Sequence, residues 1–282
     1  MNKRLNDGVP SIEDYNKVIA SNTFKDMEVF SDQFILDNKP ALGKYIKRWV
    51  GDPLHQWSRQ WEYPYVNDRV QQLASSGLPI SVLDAGSGIT FFPYFLNAKV
   101  DNLNMHCCDY DPILIDIYKK TNVNQKNKVN FSKCDLKKLP YDTDSFDIVY
   151  CISVLEHTDD YETIIEEFYR VLRPGGMLVV TFDISLDGTR DIDLDKSKIL
   201  LNLLTKRFDK DNDIALDLSA QTSSPEVFTT LSANELNPDL LPWKAPSFLY
   251  RTKSFITKGT FGSWPPPMTI YCVSLTKSKP ST

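Results

Sequence analysis

Glycine is scarce in this chain: 11 of 282 residues, against 17 prolines. That excludes collagen-like and glycine-rich low-complexity architectures and makes the position of each glycine informative. Cysteine is no richer. Cys107, Cys108, Cys134, Cys151 and Cys272 contain no Cys-x-x-Cys pair, which argues against a zinc module or a disulfide scaffold. Four of them lie in or beside apolar, strand-like stretches, where a thiol behaves as a small hydrophobe. No apolar run approaches the roughly 20 residues that span a bilayer. Positive charge is in deficit, with 32 Lys and Arg against 37 Asp and Glu and a formal charge of −5. A nucleic-acid partner would require a basic face to neutralise phosphates, so such a partner is disfavoured. Internal repeats are absent. The opening residues Met1 to Gly8 carry no apolar h-region, and together with free thiols this sets the expectation of a cytoplasmic, reducing location.

What remains is an ordinary globular composition, 41% hydrophobic and 24% charged, long enough to bury a large core. Residues 1–78 read as a helical, aromatic-rich cap. Ser11-Ile12-Glu13-Asp14 fits the start of a helix, and Tyr45, Trp49, Trp57, Trp61, Tyr63 and Tyr65 follow. Such a cluster suits a core or lid, or the wall of a substrate pocket; Trp57, Trp61 and His55 are the candidate substrate contacts. Residues 79–183 alternate strands with helices. The strands are Ile80–Asp84, Asn104–Asp109, Val129–Phe131, Phe146–Ile152 and Met177–Phe182; the helices run from Pro112 to Lys120 and from Asp159-Asp160 to Leu172. This pattern implies right-handed β-α-β units and a parallel sheet. Residues 184–260 read as a substrate-side insertion with a short helix from Ile199 to Leu204. Residues 261–282 hold a final strand, Met268–Leu275, and a polar tail.

The chemistry concentrates at strand ends. The first strand runs into Asp84-Ala85-Gly86-Ser87-Gly88. Glycines between a strand and a helix let backbone approach a ligand closely, and the helix start adds unpaired amides. Asp109, 25 residues beyond Asp84, stands where Rossmann-like folds bind a ribose, with Asp111 as runner-up; capping of the next helix is the other role open to Asp109.

With these segments, and with Cys134-Asp135-Leu136-Lys137-Lys138-Leu139-Pro140-Tyr141, Ser145–Tyr150, Val154-Leu155-Glu156-His157 and Arg170–Gly176 in the same order, residues 79–183 resemble the core of a class I S-adenosylmethionine (SAM)-dependent methyltransferase of the small-molecule, type 11-like group. The resemblance implies an α/β, Rossmann-like fold: a mostly parallel seven-stranded sheet with an antiparallel last strand. It implies SAM as cofactor, with Asp84, Gly86, Ser87 and Gly88 at its methionine end. Asp109 would hold the ribose beside Tyr110, and Asp135 and Leu136 would meet the adenine. Cys151 to Ser153 would border the methionine moiety, although Tyr150 and Cys151 also suit the strand's core. Asp135 also suits a turn cap. Where the family often has a third glycine this chain has Thr90, followed by Phe91-Phe92-Pro93-Tyr94.

Methyl transfer from a sulfonium needs an aligned nucleophile and, for an alcohol, a proton acceptor. His157, one of three histidines, follows the fourth strand and is the candidate general base; a structural role is the alternative. His106 reads as structural. The acidic run Asp183, Asp187, Asp191, Asp193 and Asp195 has no histidine beside it, so no metal site is expected there. The expected activity is O-methylation of a sugar or natural-product hydroxyl. N- or C-methylation, RNA modification and a non-catalytic SAM-binding scaffold are the alternatives. A dinucleotide oxidoreductase would want the third glycine.

Overall fold

The computed structural model describes residues 4–48, 52–123, 125, 128–190, 192–210, 218–243, 252, 255 and 263–279. Trp49, Asp191 and much of the expected insertion lie outside the described residues.

Three helices come first: α1 (Ile12–Ile19), α2 (Asn22–Arg48) and α3 (Arg59–Ala74). The Ser11 hydroxyl caps α1 by accepting from the Asp14 amide at 3.0 Å. Helix α2 contains Pro40 and breaks at Gly43, where φ is 44°. Then come β1 (Ile80–Ala85), α4 (Phe92–Lys99), β2 (Leu103–Asp109), α5 (Ile113–Val123), β3 (Asn130–Lys133) and β4 (Phe146–Ile152). A 3-10 turn, Leu155–His157, leads to α6 (Tyr161–Val171) and β5 (Leu172–Ser185). The rest is α7 (Leu194–Arg207), β6 (Asp209–Lys210), α8 (Leu218–Thr222), α9 (Thr230–Leu236), a second 3-10 turn and β7 (Met268–Thr276).

The seven strands lie in the order β3-β2-β1-β4-β5-β7-β6. All pairings from β3 to β5 are parallel, and β7 is antiparallel to β5. The expected sheet is therefore present, though its edge strand β6 has only two residues and six strands carry the structure. Chain order reverses at β1, which pairs with β2 on one side and β4 on the other. In open α/β sheets a crevice forms beyond the strand ends at this point.

Strand alternation divides the core in two. Ile80, Val82, Ile148, Tyr150, Val179, Ile270 and Cys272 face a cluster shared with α1–α5. Leu83, Ala85, Val149, Cys151, Leu178, Val180 and Val273 face the cluster under α6 and α7. Side chains two apart share a face, so each central strand reads as continuously apolar.

The first helices are thus part of one layer on the sheet, and α3 is its innermost member. Trp61, Glu62, Tyr63, Tyr65, Val66, Arg69 and Val70 are all buried, so α3 has no single apolar stripe. Its polar groups find distant partners. Arg69 donates from Nε to Ser274 Oγ at 3.0 Å and from Nη2 to Asp7 Oδ1 at 2.8 Å.

Two boundaries differ from the sequence reading. Strand β5 begins at Leu172, not Met177: Leu172 pairs with Phe146, and Gly175 and Gly176 exchange backbone hydrogen bonds with Lys277 at N···O distances of 2.8 and 2.9 Å. Helix α7 is longer than Ile199–Leu204, because Asp193 caps it by accepting from the Lys196 amide at 2.9 Å. That accounts for part of the acidic run.

Candidate cofactor and acceptor site

The strand order places a cavity of about 800 Å³ beyond the ends of β1, β2 and β4. Its core wall contains Asp84, Gly86, Ser87, Gly88, Asp109, Tyr110, Asp135 and Leu136. His157 lies on the same cavity.

The first turn is set by backbone geometry. Gly86 has φ 79°, and a Cβ there would lie 2.7 Å from Val154 Cγ2. Gly88 has φ 52°. Both conformations favour glycine, and at Gly86 side-chain space is also missing. The next turn residue follows another rule: Thr90 keeps a negative φ, and its hydroxyl accepts from the Phe92 amide at 3.3 Å at the start of α4. The missing third glycine is thus replaced by a polar contact at the helix start.

Asp109 binds this turn to the next. One oxygen accepts from Gly88 N–H at 3.0 Å and the other from Asp111 N–H at 3.0 Å. Capping falls to Asp111, which accepts from Ile113 N–H at 3.1 Å. Asp135 accepts from Lys137 N–H at 2.9 Å, so its turn role and its place on the cavity coexist. Asp84 is 5% exposed and accepts from the Tyr150 hydroxyl at 3.0 Å. Burial pushes its carboxyl up to about 8; the Tyr150 hydrogen bond and Arg59 pull down, and Asp109 pushes up. An incoming cation would offset the cost of ionising it.

Four expected contacts lie elsewhere. Cys151 is fully buried in the cluster under α6, because alternation along β4 turns it to that face. Trp57 and Trp61 are each 2% exposed. Trp61 belongs to the core because it lies in the buried part of α3; Trp57, in the segment just before α3, donates its amide to Leu240 O at 3.0 Å and lies 6.2 Å from the Phe228 ring. His55 sits outside the cavity wall: its Nδ1 meets Asp52 at 2.6 Å and its Nε2 meets Glu28 at 3.1 Å. The Asp52 hydrogen bond raises it to about 9 against the opposing effect of burial, with Glu28 adding to the rise. It is an imidazolium clip between α2 and the segment leading to α3. Asp32, Asp52 and His55 are spaced closely enough to share an ion, but both ring nitrogens already face carboxylates.

The opposite wall was read only in part from sequence: Tyr45 and Tyr63 stand in the aromatic cluster offered as a possible pocket wall, whereas Phe34, Ile35, Leu42 and Arg59 were not singled out. Phe34, Ile35, Leu42 and Tyr45 from α2, and Arg59 and Tyr63 from α3, complete the cavity. Tyr63 stacks on Phe92 at 4.6 Å between centroids. Beneath it lies a polar network. Glu62 accepts from Ser153 Oγ at 2.7 Å and Thr181 Oγ1 at 2.5 Å, and pairs with Arg59. Ser153 has φ 48°, a left-handed conformation costly for a non-glycine residue. Nearby, Glu156 is buried and its Oε2 has no hydrogen-bond partner among the described residues; burial and the neighbouring Asp183 push its carboxyl well above the usual range. Besides that aromatic cluster, the sequence sign of this wall was Arg59 and Glu62 at i, i+3 spacing.

A Rossmann-like sheet with an antiparallel last strand, a glycine turn after β1 and acids ending β1 and β2 define a class I methyltransferase domain. Residues 83–180 match the family model described as a methyltransferase domain. Sterol 24-C-methyltransferase of Kluyveromyces lactis is 27% identical over 176 residues, 58% of this chain and 45% of that protein. Demethylmenaquinone methyltransferase of Deinococcus radiodurans is 30% identical over 102 residues, 36% of this chain and 42% of that protein. The chain thus spans less than half the length of these relatives. In fold it is similar to phosphoethanolamine N-methyltransferase 2 of Haemonchus contortus, with TM-score 0.50 and 14% identity over 94% of this chain and 60% of that one. Among the described residues no helix is long and apolar enough to cross a membrane.

The cavity's donor set fits SAM. A buried acid suits the ammonium, Asp109 the ribose hydroxyls, and Asp135 with Leu136 the adenine. Bound there, SAM supplies an electrophilic methyl group on a sulfonium.

Proposed function

We propose that this protein transfers the methyl group of SAM to a hydroxyl of a small natural-product-type molecule with an apolar body. The observation that carries the reading is the shared cavity: the cofactor residues from Asp84 to Leu136 line it together with His157 and an apolar wall of Phe34, Ile35, Leu42 and Phe91. Of the two acceptors considered, a sugar loses its main support, because Trp57 and Trp61 lie in the core and present no face for stacking.

The chain's own tasks are then clear. Asp84, Asp109 and Asp135 orient the cofactor. The apolar wall holds the acceptor and excludes water. His157, exposed on the cavity at the end of the 3-10 turn, takes the acceptor's proton. A neutral imidazole offers a nitrogen lone pair for that proton.

Calorimetry with S-adenosylhomocysteine, followed by turnover on a hydroxyl-acceptor panel, tests this. His157→Ala should lower turnover roughly 100- to 10,000-fold and leave cofactor affinity unchanged. Full activity in that variant would remove His157 from the mechanism; absence of binding would remove the cofactor. A carbon acceptor is the second reading. It is favoured by the similarity to sterol 24-C-methyltransferase, and it would show as methylation of an unsaturated carbon by an enzyme indifferent to loss of His157.

A further inference from the structure

Arg59 lies outside the matched segment 83–180, yet it shares the cavity with Asp84. Its side chain is 21% exposed. All its hydrogen bonds to described residues leave from one nitrogen: Nη1 reaches Ser58 Oγ at 3.3 Å, Ser153 Oγ at 2.6 Å and the Glu62 carboxylate. Nε and Nη2 take no partner among the described residues.

The arginine is anchored at one corner. Glu62, fully buried, is itself fixed by Ser153, just past the end of β4, and by Thr181 within β5. A guanidinium held this way presents the rest of its planar fork, a shape that matches a carboxylate. It is also near enough to Asp84 to draw that carboxyl down against the effect of burial. The same end of the cavity therefore offers one anchored cation and one buried acid. A ligand that satisfies both carries a carboxylate and an ammonium, which is the head group of an α-amino acid. An acceptor bearing only an anion would answer Arg59 and bring no cation to Asp84, whose one side-chain hydrogen bond among the described residues comes from the Tyr150 hydroxyl.

We propose that Arg59 binds the α-carboxylate of the cofactor while Asp84 binds its ammonium, so that α3 completes the cofactor site that residues 83–180 begin. Glu62 is the positioning residue that holds the fork in place. The assignment rests on the cofactor reading above.

The test is calorimetry with two ligands that share adenosine and sulfur. S-adenosylhomocysteine carries the amino-acid head; 5′-methylthioadenosine lacks it. Arg59→Gln should weaken S-adenosylhomocysteine roughly 10- to 100-fold and leave methylthioadenosine unchanged. Arg59→Lys keeps the charge without the fork and should give an intermediate loss on the first ligand alone; it also serves if the glutamine variant fails to fold. Three results overturn the proposal and spare the cofactor reading: equal wild-type affinity for the two ligands, an unchanged affinity of the variants for S-adenosylhomocysteine, or an equal loss on both ligands. If the wild-type protein binds neither ligand, the cofactor reading falls, and the proposal with it.

Discussion

The two walls of the cavity are held by different kinds of contact. On the core wall most fixing contacts are short in sequence: Asp109 to Asp111, Asp111 to Ile113, Asp135 to Lys137, Thr90 to Phe92. On the α3 wall the contacts to the sheet are long: Glu62 to Thr181, Arg59 to Ser153, and, farther along the same helix and away from the cavity, Arg69 to Ser274. Turn-local wiring lets a site vary without disturbing the fold. Long-range wiring makes the site and the fold a single cooperative unit.

Substituting each kind of contact should therefore give opposite balances of stability and binding. Arg69→Ala should show the largest effect. It removes the buried counter-charge of Asp7 and a donor to Ser274, and the expected loss is about 3–5 kcal/mol, measured by urea unfolding. In the fraction that remains folded, S-adenosylhomocysteine affinity should stay within about twofold, because the site is remote. A large change in affinity with little change in stability would reverse the distinction.

Asp109→Ala should do the converse. It removes two amide partners in adjoining turns as well as the expected ribose acceptor. Affinity should fall about 100-fold, with a stability loss of only about 1–2 kcal/mol. Equilibrium unfolding beside calorimetry separates the two quantities.

Asp84 gives a smaller, pH-dependent effect. Its folded value of about 8 lies above the ordinary 3.8, so between these limits the folded protein holds a proton that the unfolded chain releases. The ligand-free protein should lose stability as pH rises through this window. Binding of a cofactor ammonium favours the carboxylate. S-adenosylhomocysteine should therefore release a proton below about pH 8 and bind more tightly as pH rises toward it, by up to about tenfold per pH unit. Calorimetry in buffers of different ionisation enthalpy counts the proton; Asp84→Asn should abolish its release.

The smallest effect belongs to His55→Gln, which breaks a half-exposed clip and should cost less than about 1 kcal/mol. Because the folded imidazole is raised to about 9, its contribution is complete below the unfolded value near 6.5. It disappears as pH rises through 9, which thermal unfolding across that range would show.

The same division explains what could be read from the chain. Strand patterns and turn motifs located Asp84, Gly86, Gly88, Asp109 and Asp135, because each performs its local task within a few residues of its strand end. Trp61 went to the wrong surface because a helix buried on every side has no polar stripe to orient it, and Trp57, just ahead of that helix, packs beside Phe228, far away in sequence. Arg59 and Glu62 resemble a surface pair until Ser153 and Thr181 are brought beside them. Cys151 was one residue out of phase: along β4 only every second side chain meets the face toward α1–α5.

The burial of α3 on all sides also decides where this protein can be retuned. Most substitutions along it would be tested first for folding and only then for selectivity, so a mutant library there would consist largely of inactive members. The α2 contribution to the cavity comes from Phe34, Ile35, Leu42 and Tyr45, in a helix already interrupted at Gly43. Exchanges of volume among these four offer an engineer the shortest route to new acceptors.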